Sequence, residues 1–286
     1  MTKRRGHKSI SETRSAAVAK GIISVLLILY SFIAIYLIGN SILNAFKTKP
    51  DLIANTFGWP NAFVLENFRI VLVEDGFMRN LINSLLLVTM GTALLVAFSS
   101  TVSYGLSMYT FRGRGFLSNY FTIGLMFPIQ LGILPLFIIL KWLNLVNSLF
   151  GLALIYAANM SFSVVVFSRF FRGFEHALLE AARIDGANDF QSFIYLVIPI
   201  MKPVVFTVAL LNFIMIWNDF YLPLVFLTNS ANRTLTLGIY NYTADFLSNW
   251  NKVFAGVAVA LAPIIVIYFF FSERIVTGLT TGSVKG

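Results

Sequence analysis

Five polar side chains interrupt otherwise apolar runs of the sequence: Gln130, Asn159, Asn212, Asn218 and Asp219. Polar groups are costly at membrane depth, where they usually face the interior of a helix bundle or a wet cavity. Amides and carboxylates can hydrogen-bond the hydroxyl groups of a polar solute, but they can also hold neighbouring helices together. Both interpretations stay open, and we take the five residues as candidates for a solute pathway.

The inventory of reactive side chains is short. The sequence has no cysteine and only two histidines, His7 in a basic tail and His176 in a polar segment. We therefore expect neither a zinc site nor a cysteine nucleophile nor a disulfide framework. The phosphate-binding pattern G-x-x-x-x-G-K-[ST] does not occur. These observations predict no catalytic residue, no metal site and no cofactor, ATP included, bound by this chain.

A charged stretch, EHALLEAARIDGANDF at residues 175–190, stands out in a chain that is 58% hydrophobic and 12% charged. Its apolar residues recur at helical spacing, which predicts a short amphipathic helix. Asp185 and Gly186 should end that helix, because glycine lets the chain reverse direction. A second helix is expected to run until Pro199 and Pro203 break it. The pattern fits either a loop lying on lipid headgroups or a docking knob for a partner.

The elements that position these residues must be membrane helices. The mean hydropathy is +0.81, and a bilayer core of about 30 Å needs roughly 20 apolar residues per helix. Long, nearly continuous apolar runs are typical of helices, whereas barrel strands alternate. We predict an all-α, polytopic transmembrane bundle with one membrane domain over 21–286, after a basic tail at 1–20. Six spans are expected, at about 21–45, 81–110, 116–140, 148–168, 204–227 and 254–272.

The orientation follows from the distribution of basic residues. If both termini are cytoplasmic, 14 of the 21 Lys and Arg residues lie on the inner side, as the positive-inside rule requires. The charged stretch then falls in an inner loop, at about 172–203. The net charge of +9 suits anionic lipid on the inner leaflet and calls for no nucleic-acid partner.

Several motifs together carry a resemblance to a known family. Glu180-Ala181-Ala182, Gly186 and the sequence LVIP ending at Pro199 have the spacing EAA, three residues, Gly, nine residues, I-x-L-P, with Ile and Leu exchanged. ARIDGAN, IPIMKP, WNDF and the terminal GLTTGSVKG follow in the same order as in that family. The chain resembles the permease subunits of ATP-binding-cassette importers, in particular the carbohydrate permeases of the maltose-permease type.

The resemblance implies a division of labour in a bacterial cell membrane. This chain would form half of a sugar pore with a homologous second permease, while two cytoplasmic ATPase subunits would bind ATP and Mg. An extracytoplasmic sugar-binding protein would deliver the sugar. The EAA loop would be the coupling helix, and the C-terminal segment would also reach the ATPases. The implied contacts are Glu180, Ala181, Ala182, Asp185, Gly186 and Pro199 in the loop, and Gly282, Lys285 and Gly286 at the C-terminus.

Two alternatives remain at this level. The first is a permease of the same class that carries a solute other than a sugar. A secondary transporter would also be a polytopic bundle, but internal repeats and intramembrane acids for ion coupling are typical of that class. The apolar spans hold only Asp219, and no clear repeat is visible. This second alternative is therefore the weaker one.

Overall fold

The computed structural model describes residues 10–243 and 250–281, and these residues fold into α-helices joined by short turns. Two π-helical turns, at Ile70–Glu74 and Ser192–Val197, and two 3-10 turns, at Ile129–Gly132 and Ser230–Asn232, continue or link them. In chain order the α-helices are α1 (Ile10–Asn44), α2 (Lys49–Ala54), α3 (Glu66–Arg69), α4 (Phe77–Met108), α5 (Arg114–Gly124), α6 (Ile133–Trp142), α7 (Leu149–Ala158), α8 (Ser161–Arg172), α9 (His176–Ile184), α10 (Asp189–Gln191), α11 (Ile198–Asn218), α12 (Tyr221–Phe226), α13 (Leu235–Thr243) and α14 (Trp250–Thr281).

The helices confirm the prediction of an all-α membrane bundle. Four of them are long and apolar enough to cross a bilayer by themselves: Val18–Asn44, Phe77–Met108, Asp189–Asn218 and Trp250–Phe271. Two further pairs meet the same test only together, α5 with the helical segment Ile129–Trp142, and α7 with α8. The described residues thus provide four spans, or six if each bent pair is one span.

The two bent pairs differ from the continuous helices expected at 116–140 and 148–168. The first pair turns by 103° between Gly124 and Ile129, and the second by 47° between Ala158 and Ser161. Pro128 explains the first bend, because it lacks an N–H and disfavours a helical conformation at the residue before it. Its own backbone is extended, with φ −68° and ψ 134°.

The expected break at Pro199 and Pro203 does not occur. Residues Asp189–Asn218 form one helix across both prolines, and the helix ends at Asn218 rather than at residue 227. Pro199 lies in the first turn of α11, directly after the π-helical turn Ser192–Val197. There Ile198 N–H bonds to the carbonyl of Phe193, five residues back, and this wider turn relaxes the strict helical ladder where a proline cannot donate.

Two hydrophobic clusters hold the bundle together, and two helices join them. The upper cluster includes Phe77, Leu87, Tyr156, Trp217 and Phe226. The lower cluster is built from Leu95, Tyr104, Phe167, Phe171, Phe174, Leu179, Phe193, Val197, Met201 and Val208. Helices α4 and α11 both contribute to the two clusters and so join them into one bundle.

Helix α1 stands apart from this core. The most apolar window of Val18–Asn44 contains no buried residue, and only the C-terminal end of α1 is inserted, with Asn40 and Asn44 buried. In the described part of the chain α1 packs chiefly against α14. Most of its apolar surface is therefore left for lipid or for another subunit.

Candidate functional site

The charged stretch forms a knob, defined here as residues 174–197, whose turn is built by backbone geometry. Helix α9 ends at Ile184, and Gly186 follows with φ +86°. The N–H of Ala187 bonds to the carbonyl of Ala182 at 2.9 Å, and the N–H of Gly186 to that of Arg183 at 3.1 Å. These two bonds form a Schellman motif, which needs a left-handed residue at the glycine position. The sequence expectation for Gly186 therefore has a conformational basis.

The second helix of the knob starts with its own cap. The side chain of Asn188 accepts the N–H of Gln191 at 2.8 Å, and the side chain of Gln191 accepts the N–H of Asn188 at 2.9 Å. Arg183 of α9 pairs with Asp189 at 3.1 Å across the turn. Both side chains of this pair are about half exposed, so the pair adds little to stability and mainly fixes the angle between the two helices.

The knob is tied to α4 through Tyr109, which directly follows that helix. Burial, and then the hydrogen bond with the Asp189 carboxylate, raise the pKa of the Tyr109 phenol above its ordinary value. The phenol is neutral at pH 7 and can donate a hydrogen bond to the Asp189 carboxylate. Tyr104, one turn earlier, packs against Phe193 with ring centroids 5.0 Å apart. The turn of the knob is thus fixed to the end of α4.

Apolar side chains anchor the knob to the bundle. Leu179 of α9 is 7% exposed and lies in the lower cluster with Phe167 and Phe171. Phe193 and Val197, from the second arm, are buried in the same cluster. One face of each arm is therefore packed against the membrane helices, and the opposite faces are left exposed.

The exposed faces enclose a cleft of about 570 Å³ between the two arms of the knob. Its floor is made of small residues, including Ala181, Ala182 and Gly186. Large apolar side chains of the knob stand exposed: Tyr195, which lines the cleft, is 78% exposed, and elsewhere on the knob Ile184 is 86% and Phe190 73% exposed. Exposed apolar patches of this kind contact either a partner protein or lipid.

The predicted loop contacts occupy different parts of this knob. Ala181, Ala182, Asp185 and Gly186 line the cleft, whereas Pro199 lies beyond it in the first turn of α11. The exposed carboxylate of Glu180 has no hydrogen bond or ion pair with any residue that the structure describes. Gly282, Lys285 and Gly286 lie outside the described residues.

Most of the five polar candidates lie where helices are interrupted. Gln130 is in the bend between α5 and α6, Asn159 is in the bend between α7 and α8, and Asn218 and Asp219 end α11. Gln130 and Asn218 are exposed, and Asn159 is half-buried. Asn212 differs, because it is buried inside α11, where its amide donates to Ser163 Oγ at 3.1 Å and to the carbonyl of Val208 at 2.8 Å.

Asp219 is held by partners from other elements. The Tyr156 hydroxyl donates to Asp219 Oδ2 at 2.7 Å, and the N–H of Tyr221 donates to Oδ1 at 2.8 Å. The Thr236 hydroxyl donates to the backbone carbonyl of Asp219 at 2.9 Å. The carboxylate therefore joins α7 to the start of α12, with both of its oxygens occupied within the chain, and the backbone carbonyl of Asp219 adds a link to α13.

Sequence reasoning missed the partners Tyr156, Ser163 and Thr236. A weak signal existed, because Tyr156 precedes Asn159 by three residues and so belongs to the same helix turn as a candidate. Ser163 and Thr236 carried no such signal, since hydroxyl residues are common in membrane helices. Which hydroxyl pairs with which amide or carboxylate depends on helix packing that spacing alone does not specify.

We expect Asp219→Ala to lower the thermal unfolding midpoint of the purified chain in detergent, because the Tyr156 hydroxyl would lose its acceptor. Leaving a buried donor unpaired costs about 1 to 3 kcal/mol. Asp219→Asn retains one carbonyl oxygen and should lose less. Asn218→Ala is the control, since the exposed Asn218 amide donates to Ile214 of its own helix. An unchanged midpoint for Asp219→Ala, together with impaired transport, would instead make Asp219 a solute contact.

These features define a polytopic helical membrane protein with a knob of two short helical arms at one end. The family model described as the binding-protein-dependent transport system inner membrane component matches residues 93–280. That match covers more than half of the chain, including the knob, and the chain belongs to this family. It is accordingly a multi-pass membrane protein of the bacterial inner membrane and a transport subunit.

Named relatives extend the similarity over nearly the whole chain. The arabinooligosaccharides transport system permease protein AraQ of Halalkalibacterium halodurans is 32% identical over 260 residues, covering 90% of this chain and 93% of the relative. The diacetylchitobiose uptake system permease protein NgcG of Streptomyces coelicolor is 30% identical, with 96% and 91% covered.

A solved structure supports the fold independently. A chain from the crystal structure of a bacterial ABC transporter involved in the import of the acidic polysaccharide alginate superposes with a TM-score of 0.80. The superposition covers 94% of this chain and 99% of that one, at 23% sequence identity. At this identity the similarity shows the fold alone.

Proposed function

We propose that this chain is the permease subunit of an ATP-driven importer of saccharides and forms half of its pore. The observation that carries the proposal is the family match together with relatives whose names specify oligosaccharide uptake. A partner must supply the energy, because the sequence has no nucleotide-binding motif. ATP and Mg are therefore assigned to two cytoplasmic ATPase subunits.

The knob is proposed as the surface that the ATPase contacts. Small residues in its cleft permit close approach of another backbone, and the large apolar side chains of Ile184 and Phe190 are exposed elsewhere on the knob. Glu180 supplies a charge without a partner inside the described chain, so it is available for a contact with the ATPase. We also assign ATPase contacts to Asp185 and, from the sequence motif, to the C-terminal Gly282, Lys285 and Gly286.

The uninterrupted helix from Asp189 to Asn218 suggests how movement of the knob reaches the pathway. Its 30 residues span roughly 45 Å at 1.5 Å per residue. One end carries the capped turn of the knob, and the other ends at Asp219 beside Tyr156. Because no break separates the knob from the span, a displacement of the knob tilts the whole helix and shifts the interrupted segment at Asp219.

Gln130, Asn159 and Asn218 are the proposed solute contacts. The side chains of Gln130 and Asn159 have no hydrogen bond within the described part of the chain, which leaves their amides available to hydroxyl groups. Asn212 and Asp219 have internal partners, and we assign them to holding the interrupted helices in place. A second, homologous permease would close the pore, and the unburied faces of α1 are available to it.

We propose that both termini are cytoplasmic, on the same side as the knob. Reporter fusions should read cytoplasmic after Arg114 and His176, and external near Asp51 and Lys141, because basic residues are retained on the inner side. Alkaline phosphatase and green fluorescent protein fusions at each position give complementary readings. An external reading at His176 would contradict contact between the knob and a cytoplasmic ATPase.

The proposed function is tested by reconstitution. The permease, its second permease and the ATPase subunits are placed in proteoliposomes with the extracytoplasmic binding protein outside, and a panel of labelled saccharides is supplied. ATP-dependent accumulation of at least one saccharide is expected. Accumulation of amino acids or peptides but of no saccharide would show that the importer carries another class of solute.

A further inference from the structure

A polar cleft of about 460 Å³ lies at the end of α4 that is remote from the knob. Its walls come from the first turn of α4, the turn at Ser230–Asn232 and helix α13. Phe77, at this end of α4, and Tyr104, beside the knob, are 27 residues apart in one helix, or roughly 40 Å. The cleft is therefore distinct from the coupling surface.

The cleft carries positive charge that no described residue neutralises. Arg79 and Arg233 both line it, and neither guanidinium has a salt bridge or a hydrogen bond to any part of the chain that the structure describes. The acid that lines the cleft, Asp75, is already engaged by Lys252 Nζ at 3.0 Å and by the Tyr242 hydroxyl at 2.9 Å. Two arginines thus remain available to an anion.

A buried amide also faces the cleft. Asn80 lines it and is 9% exposed, and its side chain has no hydrogen-bond partner among residues 10–243 and 250–281. Most buried amides are paired within the protein, whereas this one is reached from the cleft and is available to a ligand bound there. The same turn is the N-terminus of α4, which has no acidic residue in its first turn and whose dipole favours an anion.

An aromatic pair supports the wall of the cleft. Phe77 is 1% exposed and stacks on Tyr242 with ring centroids 5.4 Å apart, which holds Tyr242 in place at the cleft. Small-molecule sites have volumes of roughly 300 to 1,000 Å³ and a few convergent polar groups. Arginine binds a carboxylate through paired, charge-assisted hydrogen bonds.

We propose that this cleft binds the carboxylate of an acidic saccharide, a uronate, between Arg79 and Arg233. Asn80 donates to the same carboxylate. The proposal rests on the proposed function, because it adds a substrate class to a saccharide importer. It places selection for charge at the end of the bundle opposite the knob.

The test uses the assembled transporter in nanodiscs of neutral phosphatidylcholine, titrated with D-glucuronate and with D-glucose and followed by saturation-transfer NMR. Glucuronate should bind at least about tenfold more tightly than glucose, since a charge-assisted hydrogen bond is worth about that factor. Arg79→Gln and Arg233→Gln should each weaken glucuronate binding by about tenfold. Arg112→Gln, an exposed arginine outside the cleft, should leave the affinity unchanged, and co-purification of the ATPase confirms that each variant is folded.

Equal affinity for the two sugars, or unchanged affinity in both cleft variants, would overturn the proposal. Loss of glucuronate binding in nanodiscs that contain phosphatidylglycerol would also overturn it, because a lipid headgroup would then occupy the cleft. If a neutral saccharide is transported but glucuronate does not bind, only the cleft assignment fails. If glucuronate binds but no saccharide is transported, the cleft assignment stands and the proposed function fails.

Discussion

Gly186→Val is expected to abolish stimulated ATP hydrolysis while leaving the chain inserted in the membrane and paired with its second permease. Gly186 has φ +86°, and a Cβ built there would meet nothing within 4 Å. The cost of the substitution is therefore conformational rather than steric. A β-branched residue held in such a conformation is strained by about 1 to 3 kcal/mol, enough to open the Schellman turn and misplace the arm that begins at Asp189.

The control for this variant is Gly173→Val in the same loop. Gly173 has φ −97°, and a Cβ there would meet only a carbonyl at 3.7 Å, so valine is tolerated. Gly186→Asn should be intermediate, since asparagine accepts the left-handed region better than valine. Co-purification of the ATPase and hydrolysis in proteoliposomes are the two measurements. Equal behaviour of the two valine variants would show that the turn has no role in coupling.

Leu179→Ala should lower the stability of the permease, whereas Leu178→Ala, at the adjacent residue, should weaken its binding to the ATPase. Leu179 is 7% exposed and anchors α9 in the lower cluster. Its truncation should lower the free energy of unfolding by about 2 to 5 kcal/mol, as for other buried leucines. Leu178 is 39% exposed and lines the cleft of the knob, so its truncation should leave stability nearly unchanged and weaken the hold on the ATPase.

Two measurements separate these outcomes. The thermal unfolding midpoint of the isolated permease in detergent should fall for Leu179→Ala and stay unchanged for Leu178→Ala. Retention of the ATPase during purification should fall for Leu178→Ala even at temperatures where that variant is fully folded. A stable Leu178→Ala permease that retains the ATPase at the level of the unsubstituted protein would remove the cleft from the contact surface.

The knob was the part most predictable from sequence. The helical pattern ends at Asp185-Gly186, and the glycine predicts the end of the helix, because few other residues adopt the left-handed conformation that the turn needs. The helix ends are local features, and the capping box of Asn188 with Gln191 follows equally from residue types at fixed spacing. The all-α membrane bundle was also predictable, because long apolar runs in the sequence are sufficient to indicate membrane helices.

The larger deviations concern prolines and long-range contacts. Pro128 interrupts its span, whereas Pro199 and Pro203 lie within one helix that continues to Asn218. Sequence alone does not distinguish these cases, because a neighbouring π-helical turn can accommodate a proline and is not encoded by a recognisable pattern. The bond between Tyr156 and Asp219 joins residues 63 positions apart and depends on the packing of separate helices.

Contact between the knob and the ATPase is tested most directly by cross-linking, because the natural chain contains no cysteine. Ile184→Cys places a single thiol at the turn of the knob, and Ile53→Cys places one at a residue of similar exposure, 74% against 86%, in the segment that we propose to be external. With a maleimide–diazirine cross-linker, whose photoactivated end inserts into bonds of any neighbouring residue, the transporter with Ile184→Cys should give a covalent permease–ATPase product that changes in yield when ATP is added, and the one with Ile53→Cys should give none. No product from Ile184→Cys in an assembled transporter that hydrolyses ATP, or equal products from both positions, would contradict the assignment of the knob as the coupling surface.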